Sequence, residues 1–97
     1  AGGIAVSRVS RTLTIVNQKG LHARASAKFV TFVSRLPDGL KVEVEKDGQS
    51  VAGTSIMGLM MLGAAKESCI TIHVDGEGSD MALEKLAGLV TDGFGED

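Results

Sequence analysis

Hydrophobic and polar positions divide the chain into short segments of two different periods. In Arg11–Val16, Leu13 and Ile15 fall on one face of an alternating run, which predicts a strand. Asn17-Gln-Lys-Gly20 is loop chemistry. From Ala23 to Leu36, the residues Ala25, Phe29, Phe32, Val33 and Leu36 recur at three- and four-residue spacing, the pattern of a helix with one apolar face. Pro37-Asp38-Gly39 ends that helix and turns the chain. Leu40–Lys46 alternates again, with Glu43 and Glu45 on its wet side. Asp47-Gly48 is a strong hairpin signal, so Gln49–Gly53 is read as a short returning strand. Thr54-Ser55 offers an N-cap to a short helix, Ile56–Leu62. Ser68–Val74 is a strand with Ile70, Ile72 and Val74 inward, which turns His73 to the open face. Cys69, at its start, is expected to be a small buried or half-buried apolar residue. Gly76-Glu-Gly78 turns, Ser79 or Asp80 caps, and Met81–Val90 forms a last helix with Leu83, Leu86, Ala87 and Val90 inward.

The order is therefore β-α-β-β-α-β-α. One-faced strands and one-faced helices pair as a two-layer α+β sandwich, helices on one side of the sheet and solvent on the other. At 97 residues the chain is long enough for one core. Residues 1–10 show no clear period and contain a Gly-Gly pair, so they are expected to be a flexible tail before a single domain over 11–97.

Composition narrows the function. Phe29, Phe32 and Phe94 are the only aromatic residues, too few for the stacking platforms of single-strand nucleic-acid binding. A net charge of -2 argues against a polyanion-binding surface over the whole protein. One cysteine and two histidines exclude a disulfide and make a structural metal improbable. No apolar run is long enough to span a bilayer or serve as a secretory signal. The charges are segregated. The segment Ala1–Arg35 carries six bases (Arg8, Arg11, Lys19, Arg24, Lys28, Arg35) and no acid, whereas Glu67–Asp97 carries eight acids and one base, Lys85. The first third is thus suited to an anion or an acidic partner.

Within that third, His22 stands where a loop becomes a helix. Ser, Thr, Asp and Asn are the favoured caps at such a position, and a histidine is expected to give up the cap. Placed there it meets unpaired amide donors and positive potential. Arg24 can turn a guanidinium to the same point, and the flanking sequence has no carboxylate to repel an anion. These are the needs of a phosphorylated imidazole, and the helix field favours the neutral, nucleophilic ring.

Gly20-Leu-His-Ala-Arg-Ala-Ser-Ala27 resembles the active-site segment of the HPr family, the histidine phosphocarriers of the bacterial phosphoenolpyruvate phosphotransferase system. That family's pattern is Gly-(Leu/Ile/Met)-His-(Ala/Thr)-Arg-Pro-Ala. Ser55-Ile-Met-Gly-Leu-Met-Met-Leu-Gly63 resembles its regulatory-serine helix, and the separation of the two motifs and the element order fit as well. The resemblance implies an open-faced sandwich, a four-stranded antiparallel sheet covered on one face by three helices. It implies that His22 takes a phosphoryl group on Nδ1 from enzyme I and passes it to an enzyme II A-type protein. Arg24 and the Ala23 and Arg24 backbone amides would hold the phosphoryl oxygens. Ser55 would be a regulatory phosphorylation site for an HPr serine kinase/phosphorylase, and Lys28, Ile56, Met57 and Met60 a docking patch for enzyme I, enzyme II A-type proteins and regulatory enzymes. Such a carrier is expected to be a cytoplasmic monomer, with no cofactor or metal and no nucleic-acid or membrane contact. It is a protein substrate rather than a stand-alone enzyme. The alternative is a regulatory module whose histidine phosphorylation state controls which targets it binds, without sugar transport.

Two residues depart from the family pattern. Ala25 stands where proline is usual, which keeps an amide donor near the phosphate. Lys19 replaces a small polar residue. Both, with the basic N-terminus, favour the nitrogen-related branch. Elsewhere, Gly53-Thr-Ser-Ile-Met-Gly58 has the glycine spacing of a P-loop but carries Leu59 where lysine is required, so nucleotide binding is not supported.

Overall fold

The computed structural model describes residues 8–96. Four strands, β1 (Arg8–Thr14), β2 (Lys41–Lys46), β3 (Gln49–Ala52) and β4 (Cys69–Asp75), form one antiparallel sheet in the order β1-β4-β2-β3. Three helices, α1 (Ala23–Ser34), α2 (Ile56–Met61) and α3 (Ser79–Thr91), and a 3₁₀ turn at Gly93–Gly95 complete the chain. The helices share the apolar side of the sheet. α3 packs over β1 and β4, and α1 packs against both α2 and α3.

The periodicities explain this layering. Ile70, Ile72 and Val74 of β4 and Val42 and Val44 of β2 are buried, while the residues between them face solvent or other polar side chains. Ala25, Phe29 and Val33 of α1 and Leu83, Leu86, Ala87 and Val90 of α3 meet them. The β2–β3 hairpin closes through Asp47 and Gly48, both with positive φ, the mirror-image turn that matches strand twist.

Three expectations need correction, and one residue that the pattern left unassigned finds its place. β1 begins at Arg8, where Arg8 pairs with Asp75, so the expected tail boundary after Ser10 falls inside a strand. The remainder of that tail, residues 1–7, lies outside the described residues. Cys69 is exposed, because the alternation that buries Ile70 puts its neighbour on the open face opposite Thr14. α3 starts two residues early, after Gly78 in the left-handed conformation; Gly78 is the cap position, and no side chain caps it. Phe94, which the pattern left unassigned, is one of the most buried side chains in the core.

Candidate functional site

Three pieces of chain meet at the N-terminus of α1. The first is the loop 17–20. Gly20 has φ +62, and a Cβ built on it would lie 2.2 Å from the Ala64 carbonyl oxygen, so only glycine fits there. The Leu21 amide donates to that same carbonyl at 2.9 Å, which fixes the entry to the helix. The second piece is α1. His22 is its cap residue, in extended conformation with φ -75 and ψ -177. The third is the C-terminal turn, where Phe94 is buried at φ +58 and Lys28 Nζ donates to its carbonyl at 2.7 Å.

Contrary to expectation, His22 does cap the helix. Its Nδ1 accepts from the Arg24 amide at 3.4 Å, a long hydrogen bond that still points the ring nitrogen at the first turn. Its Nε2 lies 2.7 Å from Glu96 Oε2. The partners assign the tautomer. An amide donor faces Nδ1, so Nδ1 carries a lone pair, and the proton sits on Nε2, which donates a hydrogen bond to the carboxylate. The ring is neither deeply buried nor free, with 22% of its side-chain surface exposed.

The carboxylate is the element that the flanking sequence did not announce. Glu96 is far away along the chain, but Asn17 Nδ2, buried below the loop, donates both to the Gly20 carbonyl at 2.9 Å and to Glu96 Oε1 at 3.0 Å. Asn17 therefore ties loop and C-terminus together. Partial burial pushes the Glu96 carboxyl up. The hydrogen bonds from Asn17 and His22, with the charges of His22 and Arg24, outweigh that push and hold it below its ordinary value. Glu96 meets the Nε2 edge of the ring, so the Nδ1 edge remains with the amides.

Arg24, Lys19, Lys28, Gln18, Gly95 and Glu96 line a concave, open pocket of about 440 Å³ beside the histidine. Three cations around one carboxylate make it a site for anionic oxygens. The structure thus brings His22, the Ala23 and Arg24 backbone, Arg24 and Lys28 together. Lys19, read from the sequence as a departure from the family pattern, and Gln18, which that reading did not single out, join them. Ala25 is buried and its amide has no acceptor among the described residues, so the first turn keeps a donor that proline would remove.

Ser55 caps α2 as expected, its Oγ accepting from the Gly58 amide at 2.9 Å. α2 buries Leu59 and Leu62 and exposes Ile56, Met57, Met60 and Met61, the two outermost methionines by 69% each. A helix of six residues cannot bury both sides, and α2 and α1 pack together, so this apolar surface lies on the neighbour of the histidine helix.

The sequence matches the family profile "PTS HPr component phosphorylation site" over residues 9–92. It is 45% identical over 85 residues to the phosphocarrier protein HPr of Pseudomonas aeruginosa, covering 87% of this chain and 92% of that protein. Among solved structures, HPr from Thermoanaerobacter tengcongensis superposes with a TM-score of 0.84 at 35% identity, over 92% of this chain and 98% of that one. HPr from Bacillus anthracis does so with a TM-score of 0.80 at 37% identity, over 87% and 98%. In motif, topology and sequence, the chain belongs to the HPr family of phosphotransferase-system phosphocarriers.

Proposed function

We propose that His22 Nδ1 is the atom that carries the phosphoryl group, taking it from the phosphohistidine of enzyme I and giving it to a histidine of an enzyme II A-type protein. The observation that carries this reading is the two-sided hold on the imidazole. Nε2–H donates its hydrogen bond to Glu96, so the lone pair of Nδ1 is presented at the amide-rich end of α1. In the loading step the Nδ1–P bond forms as the donor's N–P bond breaks, with the phosphoryl group in line between two rings. Such a loose transition state asks the protein for position and positive charge more than for proton transfer. The Ala23 and Arg24 amides and the Arg24 guanidinium supply that charge, and the partner completes the site.

Ile56, Met57 and Met60 form the apolar part of the docking surface, and Lys28 and Arg24 its basic rim. Ser55 is a regulatory phosphorylation site in this reading. A phosphate on its oxygen adds roughly -1.5 to -2 charge at the start of α2, beside the docking patch, and weakens association with acidic partners without melting the helix. The carrier works in the cytoplasm as a monomer that meets one partner at a time.

The test is loading from phosphoenolpyruvate by enzyme I. Parent protein is expected to gain one acid-labile phosphate, with the ³¹P signature of Nδ1 attachment, and His22→Ala to gain none. Acid-stable phosphate, or labelling retained in His22→Ala, would overturn the assignment. Running the assay with the sugar-type and nitrogen-type enzyme I separately tells which branch the chain serves.

A further inference from the structure

The open face of the sheet holds a second histidine in an arrangement that phosphoryl transfer does not use. Ser10 on β1 is the cross-strand partner of His73 on β4, and Glu45 on β2, opposite Thr71, reaches His73 diagonally. Ser10 Oγ is 2.6 Å from His73 Nδ1, and His73 Nε2 is 2.8 Å from Glu45 Oε1. The carboxylate can only accept, so Nε2 carries the ring proton, Nδ1 carries the lone pair, and the Ser10 hydroxyl donates to it. This is the order nucleophile, base, orienting carboxylate. The His73 side chain is 14% exposed, while Ser10 is exposed.

Neighbouring positions on the same strand pair sharpen the contrast. Thr12 and Thr71 bond hydroxyl to hydroxyl at 2.8 Å, and Thr14 faces Cys69. Among the described residues of β1, Ser10 alone has an imidazole acceptor. The other charges around His73 are already engaged. Glu43, opposite it on β2, is taken by Arg8 and Lys41, and Asp75 holds the other arm of Arg8.

We propose that Ser10 is a base-activated acyl-acceptor site for acyl thioesters. Its oxygen attacks the carbonyl carbon while its proton passes to His73 Nδ1. The C–S bond then breaks, and the leaving thiolate takes that proton from the imidazolium. The products are an ester on Ser10 and a free thiol, with no change of oxidation state. The amides of β4 are committed to the ladders on both its sides and supply no oxyanion hole, whereas β1 is an edge strand. Ser10 is the final acceptor, so one acyl group is transferred per chain. Ser10 is the nucleophile, His73 the base, and Glu45 a positioning residue.

The experiment treats the full chain with acetyl thioester, and with p-nitrophenyl acetate as a faster probe, and follows acylation by intact mass and peptide mapping. One acetyl group is expected on Ser10, absent in Ser10→Ala and still present in His22→Ala. General-base loss in His73→Gln is expected to slow it by about 100-fold or more. Glu45→Gln is expected to slow it about tenfold, with Glu45→Asp restoring part of the rate because it keeps an acceptor for Nε2–H. Unchanged urea midpoints in these variants separate the chemistry from folding. Acetyl groups found only on lysines, equal Ser10 labelling in His73→Gln, or a Glu45→Gln rate equal to the parent's would each overturn the proposal.

Discussion

At the scale of single residues, the site depends on groups that hold other groups. Asn17 makes two hydrogen bonds from a buried position, and each such bond contributes roughly 0.5–1.5 kcal/mol net. Asn17→Ala is expected to lower stability by about 1–3 kcal/mol in urea unfolding and to release Glu96 from the imidazole. Glu96 itself sets a pH dependence whose sign follows from its depressed pKa. The ionised carboxylate is favoured by the fold, so its contribution is complete above its ordinary value of 4.5 and is lost as pH falls through the lower folded value. The His22 and Phe94 resonances should therefore change together below pH 4.5, and Glu96→Gln should abolish that change. Ala25→Pro removes an amide that has no acceptor, so the fold should tolerate it. The transfer rate is expected to stay within a fewfold of the parent's, and a greatly increased rate would mark alanine as a defect at this position.

Among the elements, legibility followed distance along the chain. α1, β2, the Asp47-Gly48 turn and α2 were readable because period, cap and turn residues lie within a few positions of one another. His22 and Arg24 were readable for the same reason, as were Ser55 and the excess of apolar residues on α2. What escaped was the C-terminal turn. Nothing local in Gly93-Phe-Gly-Glu96 says that Phe94 enters the core and that Glu96 reaches His22, because both depend on Asn17 and Lys28 from the other end of the chain. Ser10, His73 and Glu45 likewise meet only through strand order, which pairwise alternation leaves open. The legible helix α2 supports a direct test of the cap against the modification. Ser55→Ala loses the bond to the Gly58 amide and should cost about 1 kcal/mol. Ser55→Asp keeps a capping oxygen, so it should hold stability within a few tenths of a kcal/mol while weakening enzyme I association several-fold. A matching loss of association in Ser55→Ala would mean that helix integrity, and not charge, governs docking.

For the whole molecule, the segregation of charge along the sequence becomes a partition on the surface. The acidic last third folds onto the basic first third and neutralises part of it. Arg8 pairs with Asp75 and Glu43, and Arg11 with Glu84, whose carboxyl it holds below the ordinary value. Lys19, Arg24 and Lys28 are left around the His22 pocket, where Glu96 is the only lining carboxylate among the described residues. A protein with net charge -2 can thus present a locally positive docking site. Attraction between exposed charges is screened over about 8 Å at physiological ionic strength. The rate of His22 loading at low enzyme I concentration should therefore fall several-fold between about 50 and 500 mM salt, while the rate at saturation changes little. Lys19→Gln with Lys28→Gln should flatten that salt dependence without moving the unfolding midpoint by more than about 1 kcal/mol, because Lys28 loses only its bond to the Phe94 carbonyl. A salt dependence as steep in the double variant as in the parent would place the steering charge on Arg24 or outside the pocket, where Arg35 is the other base of the N-terminal third without an ion pair among the described residues.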